Sequence, residues 1–290
     1  MLSKVYCLKF KNISSAFPFG IILLMIFIST SLPVSSETAV LKILPSLEEA
    51  IRLARNHQLH NSRCSDGNRN FFTEAQLIYQ VKENYYGIQV KYEQLKISEE
   101  VREHFEKAVT GAEEKYESDD GEVTQSAITK LKLGLSGTLN DLVQFGNDKK
   151  LFQLRLGRLM GRAIHNEVEI GERSLKLLEF PFKTVAEYLA AQKSSARDYF
   201  ELQEAMIEIN KTRAKVGLAV DNRKMTRALL VTEAANYDFG IGDEGDLFEA
   251  LIIYTHVLVG HFEALYNFNL SVSAFERIHA GGAPLCRAKE

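Results

Sequence analysis

The sequence predicts an all-α protein made of two repeated, long antiparallel coiled-coil helical hairpins, with little or no β structure. Three observations support this prediction. Proline is scarce, and none occurs between Pro45 and Pro181 or between Pro181 and Pro284, so long helices are allowed. Apolar residues recur at alternating steps of three and four, which is the pattern of a coiled-coil seam. The second half of the chain repeats the helices and turns of the first.

The first 36 residues have the features of a secretion signal. Three lysines precede an apolar run from Phe19 to Ile28, and small residues before Glu37 fit a signal-peptidase site. The run is shorter than the roughly 20 apolar residues that a membrane-spanning helix needs. We therefore expect an exported protein with a cleaved signal over residues 1–36, and the alternative is an uncleaved anchor. No later segment reads as a membrane-spanning helix.

The first half continues with a short helix and a long one. Ser46 is a good N-cap, and Glu49 follows three residues later, as a capping box requires. This short helix stops at the polar stretch 61–70. The long helix covers about 73–116, roughly 65 Å at about 1.5 Å per residue. Its apolar residues have heptad spacing: Leu77, Val81, Tyr85, Ile88, Tyr92, Leu95, Val101, Phe105, Ala108 and Ala112.

An acidic turn leads from this helix to a second long helix over about 122–160. The turn is formed by four residues, Asp119, Asp120, Gly121 and Glu122. Its three acids could hold a cation, but the plainer interpretation is a solvated turn whose acids favour the start of the next helix. Three glycines interrupt the second helix, Gly134, Gly137 and Gly157. Glycine lowers helix stability, so packing against a neighbour must hold this helix.

The second half has the same order of elements. A connector over 162–182 contains two weakly alternating segments, V-E-I and L-K-L-L, that could form a short strand. A short helix starts from the hydroxyl of Thr184 and runs to Gln192. Two long helices follow, over about 197–238 and about 243–280, and a Gly-Gly-Ala-Pro tail closes the chain.

The two halves align without a gap over 46 residues when the chain is shifted by 121 positions. This shift places Tyr116 on Tyr237, and it matches the turn glycines and the glycines that end the hairpins. Two heptad helices can align by chance, but the matching tyrosine and glycines favour a duplication. We expect residues 37–183 to form the first hairpin repeat with its connector and residues 184–290 to form the second.

The chain shows no pattern typical of an active site. The seven histidines are scattered, and His256 and His261 are five apart, so they do not share a helix face as metal ligands four apart would. A formal net charge of −3 gives no basic field for nucleic acid. We therefore expect no catalytic residues, no cofactor, no metal site and no nucleic-acid binding. Cys64 and Cys286 could pair in an oxidising compartment, or both could be free thiols.

The segment from Ala235 to Leu251 resembles the second hairpin turn of TolC-like outer-membrane efflux proteins. In that family, Tyr-x-x-Gly, then five residues, then Asp and an apolar residue begin the last long helix. The matching residues here are Tyr237, Gly240, Asp246 and Leu247. The segment S-L-E-E-A-I-R-L-A-R-N, which starts at residue 46, looks like the family's first helix. The resemblance covers most of residues 46–282.

The resemblance implies a homotrimeric tunnel whose helices form a periplasmic α-barrel and whose hairpin tips meet a periplasmic adaptor protein. Asp246 and Glu249 fall where the family places an acidic ring at the periplasmic entrance. The alternative for Asp246 is an ordinary acid at a helix N-terminus. Tyr237 stands where the family has a gate-linking tyrosine, and Gly242 stands where some members have the basic partner of that gate.

The chain departs from the family in the strands that it lacks. Members commonly add two membrane strands in each half, but neither the stretch 61–70 nor the region 193–225 shows an alternating strand of about 9–11 residues. We expect a shortened relative that keeps the periplasmic helices, located at the outer membrane or at its periplasmic face.

Two functions fit these expectations. The first is transport, as an efflux or secretion tunnel component that trimerises and binds an adaptor at the tips 119–122 and 240–246. The second is a soluble periplasmic coiled-coil protein that binds partners without conducting anything. An enzyme is a distant third.

Overall fold

The computed structural model describes residues 40–61, 72–118, 123–171, 174–195 and 198–282. The expected secretion signal, Cys64 and Cys286 lie outside these residues. So does the expected acidic turn of the first hairpin, formed by Asp119, Asp120, Gly121 and Glu122.

Six helices and two short strands occur in the described chain. They are β1 (Val40–Leu44), α1 (Leu47–Asn61), α2 (Glu74–Glu117), α3 (Gln125–Met160), β2 (Ala163–Ile170), α4 (Val185–Gln192), α5 (Tyr199–Asp238) and α6 (Glu244–Ala280). The prediction of an all-α fold with two long antiparallel hairpins is confirmed, and most helix ends fall close to the predicted positions. The order short helix, long helix, long helix occurs twice.

Local side-chain caps explain where the short helices begin. At α1, the hydroxyl of Ser46 accepts a hydrogen bond of 3.3 Å from the N–H of Glu49. At α4, Thr184 and Glu187 form a complete capping box, in which each side chain accepts a hydrogen bond from the backbone N–H of the other. A cap of this kind stabilises a helix by about 1 kcal/mol. At the other end of a long helix, α3 stops at Gly161, whose φ of 64° lies in the left-handed region.

A two-stranded parallel sheet joins the start of the described chain to the connector. β1 pairs with β2, with Val40 opposite Ala163 and Leu44 opposite Ile170. The predicted V-E-I strand is part of β2. The L-K-L-L segment is not a strand. Its backbone instead bonds to the side-chain amide of Asn269, which donates to the Lys176 carbonyl at 2.8 Å. The sequence did not predict β1, because its partner strand lies more than a hundred residues away.

α2 and α6 form the centre of the bundle and run antiparallel along their whole length. Near the start of α2, Gln76 accepts a hydrogen bond of 2.9 Å from Arg277 near the end of α6. Near the end of α2, Lys115 lies 3.4 Å from Glu244 at the start of α6. Since α2 belongs to the first hairpin and α6 to the second, this pairing joins the two hairpins into one bundle.

α3 and α5 lie at the two edges of the row α3, α2, α6, α5. α3 packs on α2 and also touches α6, whereas α5 packs on α6. α3 therefore runs parallel to α6, and α5 runs antiparallel to it. The turn between α5 and α6, the end of α2 and the start of α3 lie at one end of the bundle, which we call the tip. The sheet and the short helices lie at the other end, which we call the base.

The buried apolar side chains form two separate cores along the bundle. The base core includes Tyr85 and Phe275, which are 1% and 0% exposed. The tip core includes Phe105 and Leu251, which are both fully buried. Burying a large apolar side chain contributes about 1.5–3 kcal/mol, so these two cores supply most of the free energy that holds the long helices together.

α6 is long and apolar enough, by length and composition, to cross a membrane. This differs from the expectation that no segment after the signal could form a membrane-spanning helix. The seam residues of α6 pack in the bundle, where Leu251 and Phe275 are fully buried, but 33% of its most apolar stretch is buried in all. One helix of this kind is weak evidence for a membrane span.

One of the helix-interrupting glycines permits a close helix approach. A Cβ placed on Gly134 would lie 2.6 Å from the ring of Phe105 and 3.1 Å from the ring of Phe248. A Cβ on Gly137 would have no atom within 4 Å. The close approach therefore occurs at Gly134 and not at Gly137.

The two glycines should respond oppositely to alanine. Gly137→Ala should raise the free energy of unfolding by up to about 1 kcal/mol, because alanine favours a helix. Gly134→Ala gains the same helix preference but crowds the Phe105 ring. Overpacking costs about 1–3 kcal/mol, so we expect a net loss of about 1 kcal/mol. Urea denaturation followed by circular dichroism measures both, and equal effects would contradict the packing described here.

Candidate functional site

A tight turn connects α5 to α6 at the tip. Gly240 has a φ of 70°, in the left-handed region that favours glycine. Its N–H donates to the Tyr237 carbonyl at 3.1 Å, and the N–H groups of Ile241 and Gly242 donate to the Asn236 carbonyl at 2.9 and 3.1 Å. These bonds satisfy the last carbonyls of α5, so backbone geometry explains the turn glycine that the sequence indicated.

Asp243, which sequence analysis did not single out, caps the start of α6. Its Oδ1 accepts hydrogen bonds from the N–H groups of Gly245 at 2.7 Å and of Asp246 at 2.9 Å. Asp246 therefore lies in the first turn of α6, where its side chain is exposed. Glu249 lies three residues further along the same face and is also exposed. The two acids of the expected entrance ring are thus neighbours on one surface.

Like charges surround Asp246. The negative charge of Asp243 is the main cause that raises the pKa of Asp246, with burial and the charges of Glu233 and Glu249 adding to it. The corresponding positions of the first hairpin are held by Gln125 and by Ile128, which is 2% exposed. Among these matched positions, only the second hairpin carries the acids.

Tyr237 fastens the second hairpin to the first. Its side chain is 8% exposed, and its O–H donates to the Ala108 carbonyl of α2 at 3.4 Å. The Nζ of Lys115 lies 4.6 Å from the centre of the Tyr237 ring. Burial raises the pKa of the Tyr237 hydroxyl, and the charges of Glu244 and Asp238 add to this. The hydroxyl is therefore protonated at neutral pH and remains a hydrogen-bond donor.

Lys115 also neutralises a buried carboxylate. Glu244 is 6% exposed, and its Oε1 lies 3.4 Å from the Nζ of Lys115. A second ion pair, between Lys107 and Asp238 at 2.7 Å, joins the same two hairpins at the surface. The resemblance puts a basic gate partner at Gly242, which has no side chain here. The structure instead places the positive charge of Lys115, from the first hairpin, over the ring of Tyr237.

Two large apolar side chains project from the tip. Phe239 and Ile241 flank the turn glycine, and each is 80% exposed. The tip therefore presents an acidic surface beside an exposed apolar one, and it has the character of a contact surface.

The part of the chain that the structure describes holds no group of three or more His, Cys, Asp or Glu side chains placed to bind a metal ion.

The fold matches solved structures, although no protein-family model and no curated protein sequence matches the chain. The outer-membrane channel OprN aligns with a TM-score of 0.54 and 14% identity, over 81% of this chain and 70% of that chain. CusC, whose structures concern folding and transmembrane channel formation, aligns with a TM-score of 0.55 and 11% identity, over 72% and 78%. The Campylobacter jejuni outer-membrane channel CmeC aligns with a TM-score of 0.55 and 11% identity, over 82% and 67%.

These matches define the class of fold. It is the helical architecture of TolC-like outer-membrane channels, and the resemblance that the residues at the tip suggested is confirmed at the level of the fold. At 11–14% identity the likeness concerns the fold alone.

Removing the Lys115 charge should weaken the tip. Lys115→Gln leaves the buried Glu244 carboxylate without its cation, and we expect a loss of about 1–2 kcal/mol in the free energy of unfolding. This is less than the roughly 3–5 kcal/mol of a fully buried pair, because the Lys115 side chain is 40% exposed.

The matched control is Lys107→Gln. The side chains of Lys107 and Asp238 are 68% and 50% exposed, so its loss should cost less than about 0.5 kcal/mol. Urea denaturation compares the two variants. Equal losses would show that Lys115 has no special role at the tip.

Proposed function

We propose that the chain is a non-enzymatic component of an outer-membrane efflux or secretion tunnel. In this proposal it is exported, and it assembles as a homotrimer in which α3 of one copy packs against α5 of the next. Its two halves, residues 37–183 and 184–290, act as hairpin repeats whose tips face a periplasmic adaptor protein. The fold likeness to three outer-membrane channels supports the proposal, and the chemistry of the two edge helices carries it.

Large apolar side chains stay exposed along both edge helices. α3 exposes Leu133, Leu139, Val143, Leu151 and Leu154, with exposed fractions of 45–71%. α5 exposes Ile207, Leu218, Val220, Met225, Leu229 and Val231, with exposed fractions of 36–68%. Apolar rows of this extent on a single chain are typical of surfaces that another protein covers.

Contacts with α6 fix the height of each residue along the bundle. On one side, the rings of Phe152 in α3 and Tyr266 in α6 are 6.4 Å apart. On the other side, the hydroxyls of Thr212 in α5 and Ser271 in α6 are 3.1 Å apart. α3 runs parallel to α6, and α5 runs antiparallel to it. Counting residues along each helix from these two contacts therefore gives the height of every residue of α3 and α5 relative to α6.

The exposed apolar residues of the two edges have matching heights. On this scale Leu151 of α3 is level with Leu218 of α5, and Val143 is level with Met225. Copies related by rotation about an axis along the bundle would therefore bring apolar residues of α3 against apolar residues of α5. A closed ring of copies covers both edges at once. The number of three copies comes from the resemblance to the family.

In such a ring, the tips would gather at one end around the axis. Asp246 and Glu249 of each copy would form an acidic entrance, and the raised pKa of Asp246 indicates that like charges already crowd this surface within one copy. The exposed Phe239 and Ile241 would offer an apolar contact to the adaptor. The end of α2 and the start of α3, which flank residues 119–122, lie at the same end.

A soluble periplasmic coiled-coil protein without transport activity is the second candidate. The helical structure of the second half of the chain favours this candidate. Residues 199–225 belong to helix α5, where other members of the family have room for membrane strands. Within the described ranges, β1 and β2 are the only strands.

A cysteine pair tests the ring. In a chain whose three native cysteines are replaced by serine, Leu151→Cys combined with Leu218→Cys should form disulfides between copies and give covalent dimers and trimers on a non-reducing gel. The control combines Leu151→Cys with Ile207→Cys. Ile207 is 68% exposed on the same helix but about 16 Å from the matched height. Monomers only, or equal linking by both pairs, would contradict the proposed contact.

Fractionation separates the two candidate functions. The tunnel proposal predicts that the mature protein sediments with outer membranes and needs detergent for release. The coiled-coil candidate predicts complete release into the soluble fraction by osmotic shock. A protein that is fully soluble, monomeric by light scattering and without a bound adaptor would exclude the tunnel.

A further inference from the structure

A layer of buried polar side chains separates the base core from the tip core. It lies halfway along the bundle, and its members come from α2, α5 and α6. We call it the polar layer, and it consists of Gln94, Ser98, Thr226 and His261, which are 0%, 0%, 4% and 4% exposed. The nearest base-core residues are Val90, Val216 and Leu265, and the nearest tip-core residues are Ile97, Leu230 and Leu258.

Each member of the polar layer carries a buried atom that has no hydrogen-bond partner among the described residues. These atoms are Oε1 of Gln94, Oγ of Ser98, Oγ1 of Thr226 and Nδ1 of His261. Buried polar groups are normally paired, because a buried group without a partner loses its bonds to water and gains nothing in return. Apolar side chains would hold the three helices more firmly here. The polar layer is therefore the weakest point of the packing between the two cores.

The charges around His261 come from three helices. Burial lowers the pKa of the His261 imidazole, and the positive charge of Arg223 on α5 lowers it further. The other charged groups near the layer are Glu93, Lys96 and Glu100 on α2, Arg227 on α5 and Glu263 on α6. On the far side of α6, Asp141 of α3 shares a groove with the exposed His256.

No carboxylate contributes to the shifted pKa of the His261 imidazole, whose causes are burial and the charge of Arg223. Glu100 accepts a hydrogen bond of 3.0 Å from Tyr254, and Glu263 is 3.5 Å from the side-chain nitrogen of Gln94. Burial raises the pKa of Glu93, against the effect of Lys96 and Arg223. A proton on His261 would thus add a positive charge beside Arg223 without gaining a bonded acceptor at Nδ1.

We propose that the polar layer is a pH-sensitive hinge, in which protonation of His261 loosens α5 from α2 and α6 and lets the tip half open while the base half stays packed. A protonated imidazole needs acceptors at both ring nitrogens. The unpaired oxygens of Gln94, Ser98 and Thr226 can supply them only after the layer rearranges, since none of them bonds to His261 in the packed state.

The direction of the pH dependence follows from linkage. When the layer opens, His261 returns towards its ordinary pKa of about 6.5, so the open state binds the proton more readily than the packed state. The packed state therefore loses stability as the pH falls below about 6.5, and the loss levels off once the pH reaches the lowered pKa of the packed state. A periplasmic or outer-membrane protein meets such acidity when its surroundings acidify. The hinge belongs to the single chain and does not depend on the proposed ring.

Hydrogen exchange of the full chain tests the hinge. Protection of amides is compared at about pH 7.5 and about pH 5.5, after correction for the intrinsic pH dependence of exchange. We expect protection of the tip segments 101–112 and 247–254 to fall about threefold or more at the lower pH. Protection of the base segment 77–90 should stay the same. Unchanged protection of the tip would overturn the proposal.

Substitutions assign the effect to one residue. His261→Gln keeps a polar side chain that does not titrate, and it should abolish the response. His256→Gln removes an exposed histidine from the same helix and should leave the response intact. A response that persists in His261→Gln would assign it to another group, such as Glu93, and overturn the proposal.

A third variant keeps the test decisive if His261→Gln does not fold. Arg223→Gln changes an exposed residue of α5 and removes the charge that disfavours the proton. The loss of protection should then be smaller, because the packed and open states differ less in their affinity for the proton. Circular dichroism at about pH 7.5 confirms that each variant is folded, and an unchanged loss of protection in Arg223→Gln would contradict the role of His261.

Discussion

The antiparallel packing of α2 on α6 is the constraint on which the other features depend. Each hairpin could form by itself from a heptad seam, but only this pairing makes them one bundle. It sets the end of α2 beside the start of α6, brings Lys115 to Glu244 and Tyr237, and leaves α3 and α5 as the two edges. The heights at which the edges expose apolar residues follow from the same pairing, because both edge helices pack against α6.

The bundle is stabilised in two places rather than along its whole length. The base core combines the long helices with the short helices and the sheet, and aromatic rings such as Phe180, Tyr188 and Phe275 pack together there. The tip core is formed by the long helices and by Val123, which precedes α3. A bundle with two cores and a polar layer between them can open at one end without unfolding at the other, since local stability follows local apolar contact.

Charge has a different role at the tip than in the body of the bundle. The buried Glu244 and the exposed Asp246 are two residues apart, yet one faces Lys115 and the other faces further acids. The first arrangement fastens the hairpins together, and the second leaves an acidic surface.

The sequence by itself determined the features that depend on neighbours within a few residues. The capping box of Thr184, the turn at Gly240 and the heptad seam of α2 are of this kind, because caps, turns and helical faces are local. The sequence also placed Tyr237 and Asp246 at one turn. Only the tertiary structure decided which residues from distant segments meet. Lys115 reaches Tyr237 and Glu244, His261 is buried while His256 is exposed, and β1 finds β2. These contacts join residues roughly a hundred or more positions apart, and they exist only because α2 and α6 pack in one register.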